Sequence, residues 1–62
     1  MPFVDVKVAG TLTKEQKKEI AKDICASLKR VAGKEPKTTY ILFTEASREN
    51  WAVGEELLAD RS

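Results

Sequence analysis

Valine occupies every second position near the start of the chain. Val4, Val6 and Val8 share one face, and Phe3, Asp5 and Lys7 the other. This alternation over residues 3–8 predicts a half-buried β-strand, ended by Gly10. The period then changes. Ile20, Ile24, Leu28 and Val31 recur at helical spacing with Ala21 and Ala32 beside them, while Lys17, Lys18, Lys22, Asp23, Lys29 and Arg30 lie opposite. Thr13 and Gln16 have capping-box spacing, and Gly33 stands where a left-handed terminal residue belongs. The pattern predicts a helix over 13–32 with a solvated, mixed-charge face. After the loop 33–37, residues 38–44 are rich in β-branched and aromatic side chains and predict a second strand. The tail, 45–62, reads as a turn, a short hairpin over 51–58 and a frayed end. Residues 55–60 could instead begin a helix.

A strand, a helix and a strand in that order make a βαβ unit, in which the strands run parallel with a right-handed connection. One helix covers one face of such a pair. The second face and both edges are left open, which calls for a partner subunit.

Composition sharpens that expectation. Sixty-two residues form a single domain, 1–62, and a domain of this size buries only about 60% of its unfolded surface. Small scaffolds add disulfides, metal or oligomerisation. One cysteine, Cys25, rules out an internal disulfide, and with no histidine a conventional zinc site is not expected. Cys25 reads as a small buried hydrophobe. Oligomerisation remains. A net charge of +1, from 11 basic and 10 acidic residues, leaves no electrostatic footprint for nucleic acid. No apolar run approaches the roughly 20 residues of a membrane span, and there is no signal-peptide pattern. The lone thiol favours a reducing compartment, so the cytoplasm is expected.

Candidate chemistry lies at the start of the chain. Pro2 is small enough to permit removal of the initiator Met1, and removal frees a secondary amine at the head of the first strand. An ordinary α-amino group titrates at roughly 7.7–8.0, and an apolar pocket lowers that value toward one suited to a general base. With no histidine in the chain, this amine is the natural candidate for proton transfer near neutrality.

The order of features along the whole chain resembles the 4-oxalocrotonate tautomerase family. It runs from Met1-Pro2 and an alternating strand through the Gly10-to-Thr13 turn to Glu15-Gln16-Lys17 opening the helix. It continues with Thr44-Glu45 closing the second strand and the aromatic-x-x-Gly segment Trp51-Ala52-Val53-Gly54. The resemblance implies an α+β fold: a β-α-β subunit with a short C-terminal hairpin, dimerising into a four-stranded sheet with helices on one face. Three dimers then make a homohexamer. It further implies an isomerase without metal or organic cofactor. The mature Pro2 amine acts as catalytic base on a small enol or 2-keto acid, and Trp51 supplies an aromatic pocket wall.

Two departures qualify this resemblance. The family's substrate-holding arginines match Leu12, in the turn after the first strand, and Tyr40, early in the second strand. A guanidinium binds a carboxylate through two parallel hydrogen bonds, and losing such bonds removes several kcal/mol by order of magnitude. A dicarboxylate substrate is therefore not expected. Leu12 suits an apolar or aromatic tail, and Tyr40 offers a hydroxyl to an oxyanion. Arg48 is the first candidate to replace the missing charge, with Lys7, Lys34 and Arg61 behind it. Two other readings stay open. The chain could be a non-catalytic or partner subunit beside a second, arginine-bearing chain. It could also be a relative that hydrates or dehalogenates, although Ala52-Val53-Gly54 lacks the water-activating acid this requires.

Overall fold

In a computed structural model of the chain, which describes residues 1–61, strand β1 (Phe3–Ala9) pairs in parallel with strand β2 (Tyr40–Ala46). Phe3 stands opposite Tyr40 and Ala9 opposite Ala46. Helix α1 (Lys14–Ala32) connects them. A small antiparallel hairpin follows, β3 (Ala52–Val53) with β4 (Glu56–Leu57). The predicted frayed end after residue 58 is ordered in part, as a 3-10 turn over Leu58–Asp60, and Ser62 lies outside the described residues.

Local chemistry explains the boundaries. Gly10 adopts φ +99°, turning the chain out of β1, while its N–H donates to the Ala46 carbonyl at 2.7 Å. The capping box closes as predicted. The Gln16 N–H donates to Thr13 Oγ1 at 3.1 Å, and the Thr13 N–H donates to Gln16 Oε1 at 2.9 Å. At the other end Gly33, at φ +67°, lets its own N–H and that of Lys34 cap the carbonyls of Lys29 and Leu28. The second strand starts at Tyr40, later than the β-branched run predicts. Pro36 opens a 3-10 turn, Pro36–Thr38, and the Thr38 and Thr39 hydroxyls both donate to the Glu35 carbonyl. Side chains that bond their own backbone compete with the ladder. At the tail the hairpin reading holds. No α-helix begins at residue 55, where Gly54-Glu55 turns the hairpin and a 3-10 turn, Leu58–Asp60, follows β4.

The helix packs on the face formed by Val4, Val6, Val8, Ile41 and Phe43, all half-buried. Its own half-buried positions are Lys17, Ile20, Ala21, Ile24, Cys25 and Leu28, a stripe at helical spacing. Two expectations are corrected here. Val31 is 71% exposed rather than part of the packed stripe. A 19-residue helix is about 28 Å long and a seven-residue strand about 23 Å, so the last helical turn runs past the sheet. Lys17 lies in the packed stripe rather than on the solvated face.

The opposite sheet face carries Phe3, Tyr40 and Leu42, at 65%, 57% and 50% exposure. Among the described residues none is fully buried. Fully burying an apolar side chain gains roughly 1.5–3 kcal/mol, so this face, which also carries Asp5 and Lys7, is where a partner would stabilise the chain most. Were copies to associate through it, unfolding would be coupled to dissociation. The thermal midpoint should rise with protein concentration in calorimetry, and a midpoint constant over a hundredfold range of about 1–100 μM would show a self-sufficient monomer.

Candidate active site

Parallel pairing sorts the candidate residues into two groups. Pro2 and Tyr40 lie where both strands begin. The Pro2 carbonyl accepts the Tyr40 N–H at 2.9 Å, extending the ladder one residue before Phe3. The Pro2 side chain is half-buried and Tyr40 is exposed. The Pro2 nitrogen is joined here to Met1, whose side chain is exposed. A prolyl nitrogen in a peptide bond carries no proton and is no base.

Leu12, Arg48 and Trp51 lie at the other end, past the point where the strands close. Seven residues of strand, about 23 Å, separate the groups. One chain therefore does not bring Pro2 and Tyr40 together with Leu12, Arg48 and Trp51. Arg48 is engaged within its own chain, where Nη2 donates to the Leu58 carbonyl at 2.6 Å and ties the 3-10 turn Arg48–Asn50 to the end of the hairpin. The Trp51 carbonyl accepts the Leu58 N–H at 2.8 Å, fixing the half-buried indole at the hairpin base. The weaker cationic candidates Lys7 and Arg61 pair with Asp5 and Glu56 at 2.8 and 2.7 Å. Among the described residues no three His, Cys, Asp or Glu side chains cluster as metal ligands would. Nor is any described helix long and apolar enough to cross a membrane.

A model of the tautomerase enzyme family matches residues 2–61, beginning at Pro2. The chain belongs to the tautomerase family. It is 34% identical to "Probable tautomerase K2" of Dickeya dadantii, over 98% of this chain and 92% of that protein. Among solved structures it resembles YwhB, a homologue of 4-oxalocrotonate tautomerase, with a TM-score of 0.88, 24% identity, and 98% and 100% of the two chains covered. A heterohexameric 4-oxalocrotonate tautomerase from Chloroflexus aurantiacus superposes with a TM-score of 0.87, 19% identity and complete coverage of both chains. The likeness to these structures is one of fold, and the β-α-β unit with its C-terminal hairpin is the tautomerase fold.

The sequence reading gave no site role to two residues of this chain. Glu45 Oε2 accepts the Leu12 N–H at 2.8 Å, and Glu45 Oε1 accepts Lys17 Nζ at 2.9 Å. The signal for Lys17 was its place three residues before Ile20 and seven before Ile24, in line with the apolar stripe. Lys17, and then the Leu12 N–H, hold the Glu45 carboxyl below its ordinary value of 4.5, against a smaller opposing effect of burial. Lys7 does the same for Asp5, with the Thr44 hydroxyl assisting and burial opposing. A carboxyl with a depressed folded pKa stabilises fully above its unfolded pKa, and that stability is lost as pH falls through the folded value. Denaturant titrations at stepwise lower pH should thus show stability falling below about pH 4.5. Lys17→Met should flatten this acid limb, and an identical limb in the variant would exclude the pair as a contributor.

Proposed function

We propose that this chain, once Met1 is removed, is a tautomerase whose Pro2 amine is the general base for enol–keto interconversion of a small 2-keto acid. The observation that carries the reading is the family match, which begins at Pro2 and runs the length of the chain, with Pro2 at the free head of β1.

The amine takes the proton of the enol hydroxyl, the electron pair moves to form the carbonyl, and the ammonium returns a proton to carbon. No atom is gained or lost, and the step needs no metal or organic cofactor. An apolar surround, with Trp51 as one wall, keeps the amine neutral by disfavouring its charged form.

The two groups of candidate residues meet only between chains. Two copies paired with strands antiparallel bring the Pro2 end of one against the Leu12, Arg48 and Trp51 end of the other. The exposed Phe3, Tyr40 and Leu42 face supports further association, and we propose a homohexamer built as a trimer of dimers. Selectivity follows from the departures at Leu12 and Tyr40. Without an arginine at either position the site favours an apolar or aromatic tail over a second carboxylate, and the Tyr40 hydroxyl is the donor left for an oxyanion.

The heterohexameric neighbour from Chloroflexus aurantiacus motivates the alternative. In that reading this chain is the partner subunit of an arginine-bearing tautomerase-like chain. Native mass spectrometry of the endogenous complex separates the two, since one repeated mass supports the homohexamer and two masses the mixed assembly.

The chemical test uses protein with a verified Pro2 terminus. Phenylenolpyruvate should be ketonised, and 2-hydroxymuconate should be turned over at least about a hundredfold less efficiently, the effect of roughly 3 kcal/mol of lost charge-assisted binding. Pro2→Ala should lower kcat by about 100-fold or more, within the usual range for a general base. Full activity in protein that retains Met1 would show that the Pro2 amine is not the base, and full activity in Pro2→Ala, which still presents a primary α-amine, would show that the prolyl ring is not required.

A further inference from the structure

Glu45 stands at an unusual place. In β2 the alternation Ile41, Phe43, Glu45 turns one side toward the helix, and the first two members are half-buried and apolar. A third apolar residue would continue the layer. The chain instead places a carboxylate there, opposite Val8 in the strand register. Each of its oxygens has its own partner: the Leu12 N–H, 33 residues away in sequence, and Lys17 Nζ, 28 residues away. One side chain thus joins the end of β2 to both the turn after β1 and the first turn of α1. It adds to the tie at the head of the turn, where the Gly10 N–H donates to the Ala46 carbonyl at 2.7 Å.

The residue so held borders a shallow depression. Leu12 and Ile20 line it together with Glu15, Gln16 and Glu19, and its exposed lining is almost wholly apolar. Such a surface accepts a hydrocarbon and repels an anion.

We infer that Glu45 is a positioning residue that sets substrate selectivity: it fixes the Leu12 backbone so that Leu12 and Ile20 present an apolar seat for the uncharged end of a monocarboxylate enol. The inference rests on the proposed tautomerase reading, in which Leu12 lines the site. In this reading Glu45 acts through the Leu12 backbone, which it holds, rather than on the reacting atoms. Its effect is therefore on KM for apolar-tailed substrates rather than on kcat.

The test compares wild type, Glu45→Gln, Glu45→Ala, Leu12→Ala and the Glu45→Ala/Leu12→Ala double variant. Each is verified to start at Pro2 and to keep the wild-type native mass. Glu45→Ala should raise KM for phenylenolpyruvate about tenfold with kcat within about threefold, the scale of one lost hydrogen bond. Glu45→Gln keeps an acceptor for the Leu12 N–H and should rescue most of that loss. In the Leu12→Ala background, Glu45→Ala should add less than about twofold, because both changes act through one residue. Equal effects in the two backgrounds, or an unchanged KM in Glu45→Ala, would overturn the inference. If Glu45→Ala does not assemble, Glu45→Leu, which continues the apolar layer, carries the same comparison. A processed wild type inactive on both enol acids would overturn the tautomerase reading and the selectivity role with it. An active wild type with unaltered KM in the Glu45 variants would overturn the selectivity role alone.

Discussion

Seven residues of parallel pairing between β1 and β2 set the geometry of everything else in this chain. Parallel strands cannot be joined by a tight turn, so the connection must cross over and run back, and α1 does this on one face. The same choice leaves the other face bare. A chain of this size has no second helix with which to cover it. The open face of Phe3, Tyr40 and Leu42 is thus the direct consequence of how the two strands are joined, and it helps explain why none of the described residues is fully buried.

The pairing also dictates where chemistry can happen. Residues at the heads of the strands and residues past their ends are held apart by the full length of the sheet. A single subunit keeps Pro2 and Tyr40 at one end and Leu12, Arg48 and Trp51 at the other. On the proposed reading, self-association does more than bury apolar surface, since it is the means by which the two ends share a site. Stability and catalysis are then coupled: a change that weakens assembly removes the site as well as the core.

Features decided by near neighbours were legible in the sequence. The valine alternation, the Thr13–Gln16 capping box, the Gly33 cap and the two-residue hairpin turn all depend on residues within a few positions of one another. Of the misread features, one turns on two competing local bonding patterns and the others on lengths or distant partners. The start of β2 shifted because Thr38 and Thr39 bond back to Glu35. Val31 kept the helical period but lies beyond the sheet it was expected to cover. Lys17 looked like one more solvated lysine because its partner, Glu45, comes 28 residues later. Pro2 stood out from its place behind Met1 in a chain without histidine, and Leu12, Tyr40 and Trp51 through family resemblance. Their division between the two ends of the sheet did not, because it comes from strand direction rather than from any local pattern.

The exchange of arginine for leucine at position 12, on the proposed reading of the site, changes what the backbone must accomplish. A guanidinium attracts a carboxylate through a force that falls slowly with distance, and its long side chain can adjust to a misplaced turn. An apolar contact does neither. A gap of about 0.5–1 Å already forfeits a quarter to a half of the dispersion energy between two surfaces. A site that relies on Leu12 therefore needs its turn placed more accurately than one that relies on arginine. The Glu45 carboxylate meets that need, because it grips the Leu12 N–H itself and is steadied in turn by Lys17. On that reading, selectivity rests less on a charge that meets the substrate than on a charge that holds the backbone of the residue that does.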